Sequence, residues 1–168
     1  HHITTAPAQI VPPGKLVYGL HLPITAQSKM FAAQWEQSAT SADTQRIAQA
    51  CDRNGFFYLG VSDHICIPRD HVSMMSATWY DTVATLGFLA GITQSVRLLS
   101  YIYVLPYRHP LAVAKAFATL DVLSQGRVIL GVGAGHLQGE FDTLGIDITQ
   151  RASLLDEAID LIANAFLH

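Results

Sequence analysis

The sequence predicts an α/β fold in which four strand–helix units surround a parallel sheet. From Lys15 onward, short runs rich in β-branched and aromatic residues alternate with longer segments of helical periodicity. The third short run, VRLLSYIYVLP, is almost continuously apolar, as a strand buried on both faces should be. Apolar residues make up 50% of the 168 positions. This share is sufficient for one sizeable core.

The first unit begins with the strand KLVYGLHLP at residues 15–23. The helix SADTQRIAQACDRNG follows at residues 41–55, with Ser41 as its predicted N-cap and Gly55 as its C-terminal stop. The strand of the second unit is FFYLGVSDH, which ends in polar residues. A loop then leads to the helix WYDTVATLGFLAGITQ.

The third unit pairs the apolar strand with the helix HPLAVAKAFATLDVLSQG, where Pro110 suits the first turn and Gly126 the end. The fourth unit pairs the strand RVILGVG with a last helix from about Thr149. Helical spacing predicts a buried face on that helix. Its predicted members are Leu155, Ala158, Ile159, Ile162 and Phe166. The acidic residues Asp156, Glu157 and Asp160 are expected to face solvent.

Four such units can form one half of a (βα)8 barrel, or they can form a small doubly wound sheet. The glycines of VILGVGAGHLQGEF help to decide between these two architectures. A dinucleotide-binding loop needs G-x-G-x-x-G directly after the first strand, at the start of a helix. Here the glycines close the fourth strand, and the third required glycine falls on His136. We therefore expect a different role, in which strand-end glycines let the backbone lie against a planar ligand at a barrel mouth.

The charge pattern excludes several classes of partner. Ten Lys and Arg residues stand against thirteen Asp and Glu, with a net charge of -3 and no basic run, so neither a nucleic-acid partner nor an anionic membrane surface is expected. The apolar stretches are too short for a membrane helix. Two cysteines without metal or disulfide spacing favour a cytoplasmic protein. Residues 1–14 are interpreted as a tag remnant or a flexible N-terminal segment, with the domain starting at residue 15.

Polar residues gather at the predicted C-terminal strand ends, where barrel enzymes carry their chemistry. They are His21 near the end of the first strand, Asp63 and His64 after the second, Ser100 in the third and His136 after the fourth. His64 beside Asp63 is the predicted proton-transfer residue, because imidazole exchanges protons near neutral pH and a neighbouring carboxylate favours its protonated form. The alternative is that Asp63 caps the following loop and His64 only fills space.

A metal centre is the competing chemistry at these strand ends. Barrel metallohydrolases place an H-x-H pair at the end of the first strand, whereas GLHLP offers only His21. No metal site is therefore predicted. No serine or cysteine nucleophile motif is present either.

The segments LPYRHP, LDVLSQGR and GVGAG, at this spacing and in this order, closely resemble the luciferase-like flavin and deazaflavin oxidoreductases. The branch that uses coenzyme F420 is the most similar, and the resemblance runs from about Lys15 to the C-terminus. It implies a (βα)8 barrel, of which this chain covers about the first four βα units. The resemblance also implies that the second half of the barrel binds the cofactor phosphate.

The resemblance assigns roles to matching residues. Ser62, Asp63 and His64 are similar to an SDH element that holds a carboxylate and a catalytic histidine beside the cofactor ring. A non-prolyl cis peptide is implied within Ser100, Tyr101 and Ile102, between the last two by alignment. The implied cofactor-binding residues are His21, Ser62, Ser100, Tyr101, Ile102, Gly133, Ala134, Gly135 and His136.

The expected activity is hydride transfer between coenzyme F420 and a small organic substrate, with His64 as the proton partner. Two departures from the deazaflavin sugar-phosphate dehydrogenases, His136 in place of a glutamate and Pro68 in place of a tryptophan, argue against a sugar-phosphate substrate. An FMN-dependent monooxygenase and a non-catalytic, truncated flavin-binding relative stay open as alternatives. A homodimer is implied by the family alone.

Overall fold

The computed structural model describes residues 10–167 and confirms the four predicted strand–helix units. The strands are β1 Leu20–His21, β2 Tyr58–Val61, β3 Arg97–Ser100, β4 Tyr103–Val104, β5 Val128–Ile129 and β6 Val132–Gly133. The helices are α1 Ser41–Arg53, α2 Val72–Met75, α3 Thr82–Ile92, α4 Pro110–Ser124, α5 Gln138–Leu144 and α6 Arg151–Leu167. Residues 1–9 of the predicted N-terminal segment lie outside the described residues.

The sheet follows the order of the chain. Its four strands lie in the order β1-β2-β3-β5, and every pairing is parallel. A doubly wound sheet reverses its strand order at a switch point, whereas here each strand lies beside the preceding one. This progressive order is that of a barrel wall, so the structure decides between the two predicted architectures in favour of the (βα)8 class.

The third and fourth predicted strands are each interrupted near the end that carries the polar residues. β3 continues as β4, and β5 continues as β6; β4 and β6 form a second parallel pair. The interruption after β3 contains a cis peptide between Tyr101 and Ile102, which confirms the predicted position. At this point the third strand leaves the main sheet, and the side chains of Tyr101 and Ile102 line a pocket at the C-terminal ends of the strands.

Glycines allow the third and fourth strands to lie unusually close together. A Cβ atom at Gly131 would overlap the carbonyl oxygen of Ser100, and one at Gly133 would overlap the side chain of Ile102. A glycine is the residue that fits where another backbone approaches this closely. The glycine-rich segment therefore serves strand packing at these two positions.

The core lies between the sheet and the helices that cover its outer face. Leu59 of β2, Leu98 of β3, Leu86 of α3 and Phe117 of α4 are almost completely buried in it. Parallel strands are covered on both faces in such folds, which explains their nearly continuous apolar sequences. No helix of residues 10–167 has the length and apolar character needed to cross a bilayer.

The helix ends follow the predicted signals with one correction. The N-cap of α1 is Thr40 rather than Ser41, because Asp43 accepts hydrogen bonds from both the backbone N–H and the hydroxyl of Thr40 at 2.8 Å. Gly55 follows α1 with a φ of 74°, as the predicted stop requires. Pro110 opens α4 as predicted.

The buried face of α6 is narrower than the sequence predicts. Ala158 and Ile162 are buried, but Ile159 and Phe166 are 41% and 52% exposed, so the prediction was wrong for these two residues. Ile159 lies beside the packed stripe rather than on it. All residues from 163 to 167 are exposed, which places Phe166 beyond the end of the stripe.

Candidate active site

A pocket of about 430 Å³, called the main pocket below, opens at the C-terminal ends of the strands. Three stretches from the strand ends line most of it: residues 62–64 after β2, residues 101–102 between β3 and β4, and residues 134–136 after β6. Trp79, Val104 and Tyr107 complete the wall. The main pocket therefore lies where the sequence predicts the chemistry.

His64 is held by a buried carboxylate that comes from α5. Its Nδ1 lies 2.9 Å from Oε2 of Glu140, whose side chain is fully buried, while 11% of the His64 side chain is exposed to the pocket. The other carboxylate oxygen of Glu140 accepts the backbone N–H groups of Ile65 at 2.6 Å and Cys66 at 3.1 Å. Glu140 thus fixes both the imidazole ring and the loop that follows it.

The surroundings of Glu140 keep it ionised. Burial by itself raises the pKa of this carboxyl, but the hydrogen bonds from His64, Cys66 and Ile65 outweigh burial and leave the pKa below its usual value. Tyr107 also donates its hydroxyl to Glu140 at 2.9 Å. Burial and this hydrogen bond raise the pKa of Tyr107, so its proton stays on the phenol.

Asp63 is not the carboxylate partner of His64, and this part of the sequence-based prediction is corrected. Arg108 donates to both oxygens of Asp63 at 2.7 Å, and the N–H of Val104 and the hydroxyl of Thr82 donate at 2.8 and 3.2 Å. A buried carboxylate with four donors is committed to the structure around it. Asp63 therefore links the end of β2 to Val104 of β4 and to Arg108, which follows β4 in the chain.

His21 and Ser62 form a second polar pair at the rim of the main pocket. His21 Nε2 and Ser62 Oγ are 2.6 Å apart, and the His21 ring lies 5.9 Å from the Tyr101 ring. Partial burial lowers the pKa of His21, although the charge of Glu36 opposes the shift. His21 is therefore neutral at physiological pH and acts as a hydrogen-bonding group.

The structure brings most of the predicted cofactor-binding residues to the main pocket. Ser62, Tyr101, Ile102, Ala134, Gly135 and His136 line it, and His21 borders it through Ser62. Ser100 is completely buried and donates its hydroxyl to the Gly131 carbonyl at 2.9 Å. Gly133 is buried beneath Ile102. These last two residues shape the pocket from behind and do not line it.

Four residues that shape the site were not selected from the sequence: Glu140, Trp79, Tyr107 and Arg108. The ring of Trp79 packs edge-on against His64 at a centroid distance of 4.4 Å. The sequence places Trp79 at the start of a helix, but α3 begins only after its N-cap Asp81. The segment LPYRHP contains both Tyr107 and Arg108, so its polar residues could have been predicted as site residues from the sequence.

The main pocket suits a planar heteroaromatic ring. Tyr101 and Ile102 are 56% and 45% exposed there, and together with Ala134 and Gly135 they form an apolar floor. His64 and Ser62 supply polar atoms at the rim. These residues fit an isoalloxazine or a deazaflavin ring. Across residues 10–167, no group of three or more His, Cys, Asp or Glu side chains is arranged to hold a metal ion.

Comparison with known proteins identifies relatives with two kinds of chemistry. The chain is 41% identical over 141 residues to limonene 1,2-monooxygenase from Rhodococcus erythropolis, covering 79% of this chain and 34% of that protein. It is 37% identical over 119 residues to the F420-dependent hydroxymycolic acid dehydrogenase of Mycobacterium tuberculosis, covering 68% and 32%. The chain therefore spans about a third of the length of these relatives.

A solved structure shows the same fold. The oxygenating constituent of 3,6-diketocamphane monooxygenase from Pseudomonas putida, in complex with FMN, superposes with a TM-score of 0.68 at 17% identity, covering 88% of this chain and 39% of that one. The family model for luciferase-like monooxygenases matches residues 20–167. This chain belongs to the luciferase-like monooxygenase family.

Proposed function

We propose that this chain contributes the catalytic half of a cytoplasmic, homodimeric F420-dependent oxidoreductase. The observation that carries the proposal is the His64–Glu140 pair at the rim of an apolar floor. The relative from M. tuberculosis whose name includes F420 dependence supports this choice of cofactor. The bound deazaflavin would accept or donate a hydride, and the protein would supply orientation and proton transfer.

The tautomer of His64 follows from its partner. An ionised Glu140 accepts from Nδ1, so Nδ1 carries a proton and the lone pair available for proton transfer is the one at Nε2. No group of residues 10–167 forms a hydrogen bond with Nε2. In the oxidation of an alcohol, Nε2 would take the hydroxyl proton while the hydride leaves the carbinol carbon with both electrons for the cofactor. The reverse reaction would return that proton to the new hydroxyl oxygen.

The second candidate is an FMN-dependent monooxygenase. It is favoured by the identity to limonene 1,2-monooxygenase and by the fold shared with an FMN-bound monooxygenase. The apolar floor accepts either ring, since the two rings have the same planar outline. The pocket residues alone therefore support the choice of a flavin-type cofactor, and the specific cofactor is the proposal.

The first experiment is a side-by-side titration of the purified chain with F420 and with FMN, followed by a turnover assay of the loaded protein. We expect tighter binding of F420, and His64→Ala should lower turnover at least about 100-fold while the cofactor dissociation constant stays within about twofold. His71→Ala is the matched control, because His71 does not line the main pocket. Preference for FMN would move the assignment to the monooxygenase. Binding without any wild-type turnover would favour a non-catalytic flavin-binding role.

A further inference from the structure

A smaller pocket of about 110 Å³, called the side pocket below, opens beside the main pocket. The two pockets share Trp79, and the His21–Ser62 pair marks the boundary between them. Apolar side chains form most of the side pocket, namely Leu22, Pro23, Ala26, Phe31, Ala32 and Trp79. The side pocket is therefore an apolar space that adjoins the main pocket at Trp79.

Trp79, which lies between the two pockets, is held in place by hydrogen bonds. The indole N–H of Trp79 donates to the carbonyls of Met75 and Ser76 at 3.2 and 3.3 Å. Trp79 also forms an antiparallel bridge with Ala26. On the outer side, Phe31 is 83% exposed, so its ring is available to cover a bound apolar group.

Among the described residues, each carboxylate at the two pockets already accepts hydrogen bonds from the protein. Glu36 lies on the wall of the side pocket, but its oxygens accept the backbone N–H groups of Ile24 at 2.7 Å and Ala33 at 2.8 Å. Asp63 in the main pocket is neutralised by Arg108. No lysine or arginine of the described residues 10–167 lines either pocket. Lys29 lines a separate polar depression on the other side of Ala32.

We propose that the two pockets select a neutral substrate that places a hydroxyl or carbonyl group beside His64 and a short apolar group in the side pocket. A cavity of about 150 Å³ holds one benzene ring, so the side pocket accepts a group somewhat smaller than that. An anionic substrate would lose its hydration without gaining a counter-charge. The identity of the reacting end rests on the proposed function, whereas the selection of a neutral, apolar group rests on the pockets alone.

The test uses Trp79 as a reporter. The chain has two tryptophans, so Trp35→Phe leaves Trp79 as the single tryptophan, which is excited selectively over the tyrosines. In this background we expect cyclopentanol to change the emission saturably and glucose 6-phosphate to leave it unchanged at the same concentrations. Both titrations are made without cofactor and again with F420, and far-UV circular dichroism checks that the variants are folded.

Matched variants locate the binding. Phe31→Ser should weaken cyclopentanol binding about tenfold, because the apolar rim of the side pocket is removed. Met30→Ser is the control, since Met30 is also exposed but lines neither pocket. Equal effects of the two variants, equal affinity for glucose 6-phosphate, or no saturable response to cyclopentanol in either condition would overturn the inference. If the chain binds cyclopentanol but no F420, the selection of a neutral, apolar group is supported and the proposed cofactor is refuted.

Discussion

Glu140 is the residue that most constrains the candidate site, because a fully buried carboxylate is tolerated only when its charge is compensated. Four groups compensate it: the His64 ring, the Tyr107 hydroxyl and the N–H groups of Ile65 and Cys66. The same contacts orient His64. Orientation of His64, the proposed proton-transfer residue, and stability of the surrounding loop therefore depend on one side chain.

Because Glu140 is ionised, its contribution to the stability of the fold depends on pH. Its pKa is lower in the folded protein than its ordinary value of about 4.5, so the carboxylate stabilises the fold above that value and the stabilisation is lost as the pH falls through the lower, folded value. Glu140→Gln should lower the free energy of unfolding by about 2 kcal/mol at pH 7, and the difference from wild type should shrink below about pH 4.5. Urea unfolding at pH 7 and at pH 4 measures both values.

The control for this prediction is Glu157→Gln on the exposed face of α6, which should leave stability nearly unchanged at either pH. A difference between wild type and Glu140→Gln that is constant from pH 7 to pH 4 would show that the variant acts through packing rather than through charge. If Glu140→Gln also loses turnover while its cofactor affinity is unchanged, that result would support a role of Glu140 in positioning His64.

The paired third and fourth strands show how elements prepare the pocket. Gly131 lies against the backbone of Ser100, and Gly133 lies under Ile102, whose side chain then turns towards the main pocket. Gly135 has a φ of 79° and lies against Val104 and Phe141. Larger residues here would push the two strands apart and tilt the apolar floor.

Gly131→Ala tests this close approach. Because the new Cβ would meet backbone that has no room to move, we expect a loss of about 2 kcal/mol in the free energy of unfolding together with weaker cofactor binding. Gly87→Ala is the matched control, since Gly87 is an exposed position within α3 with open space around it. That substitution should stabilise the protein by up to about 1 kcal/mol. Thermal unfolding and cofactor titration of both variants measure this difference. Equal changes in stability and cofactor affinity in the two variants would refute the prediction.

The elements were predictable to different degrees for identifiable reasons. The strands of the four units and the helix stops at Gly55 and Gly126 follow from local periodicity and turn chemistry, which a single sequence contains. The cis peptide at Tyr101 followed from family resemblance. Glu140 was missed because α5 has seven residues, too few for a helical pattern, and because 76 positions separate it from His64. Tertiary proximity of that kind leaves no local signal.

At the scale of the whole molecule, the two ends of the sheet have different tasks. The C-terminal ends carry the main pocket, whereas the opposite end is tied together by two charged side chains. Asp52 accepts the backbone N–H groups of Gln94, Ser95 and Val96 at 2.7 to 2.8 Å. Arg127 donates to the carbonyls of Ala90, Val96 and Ser124 and to the Thr93 hydroxyl at 2.7 to 3.1 Å. In barrels of this class that end serves stability.

Arg127→Met should therefore separate stability from function. Removal of the guanidinium leaves several carbonyl groups without donors, so we expect the free energy of unfolding to fall by about 3 kcal/mol. The cofactor dissociation constant at a temperature where the variant is folded should stay within about twofold, because no atom of Arg127 reaches the main pocket. Arg53→Met, at the exposed end of α1, controls for loss of positive charge. His64→Ala should show a different pattern, with turnover lost and a smaller loss of stability than in Arg127→Met, because Ile65, Cys66 and Tyr107 still donate to Glu140. Weakened cofactor binding in the folded Arg127→Met variant would mean that the two ends of the barrel are coupled and that the proposed division of tasks is wrong.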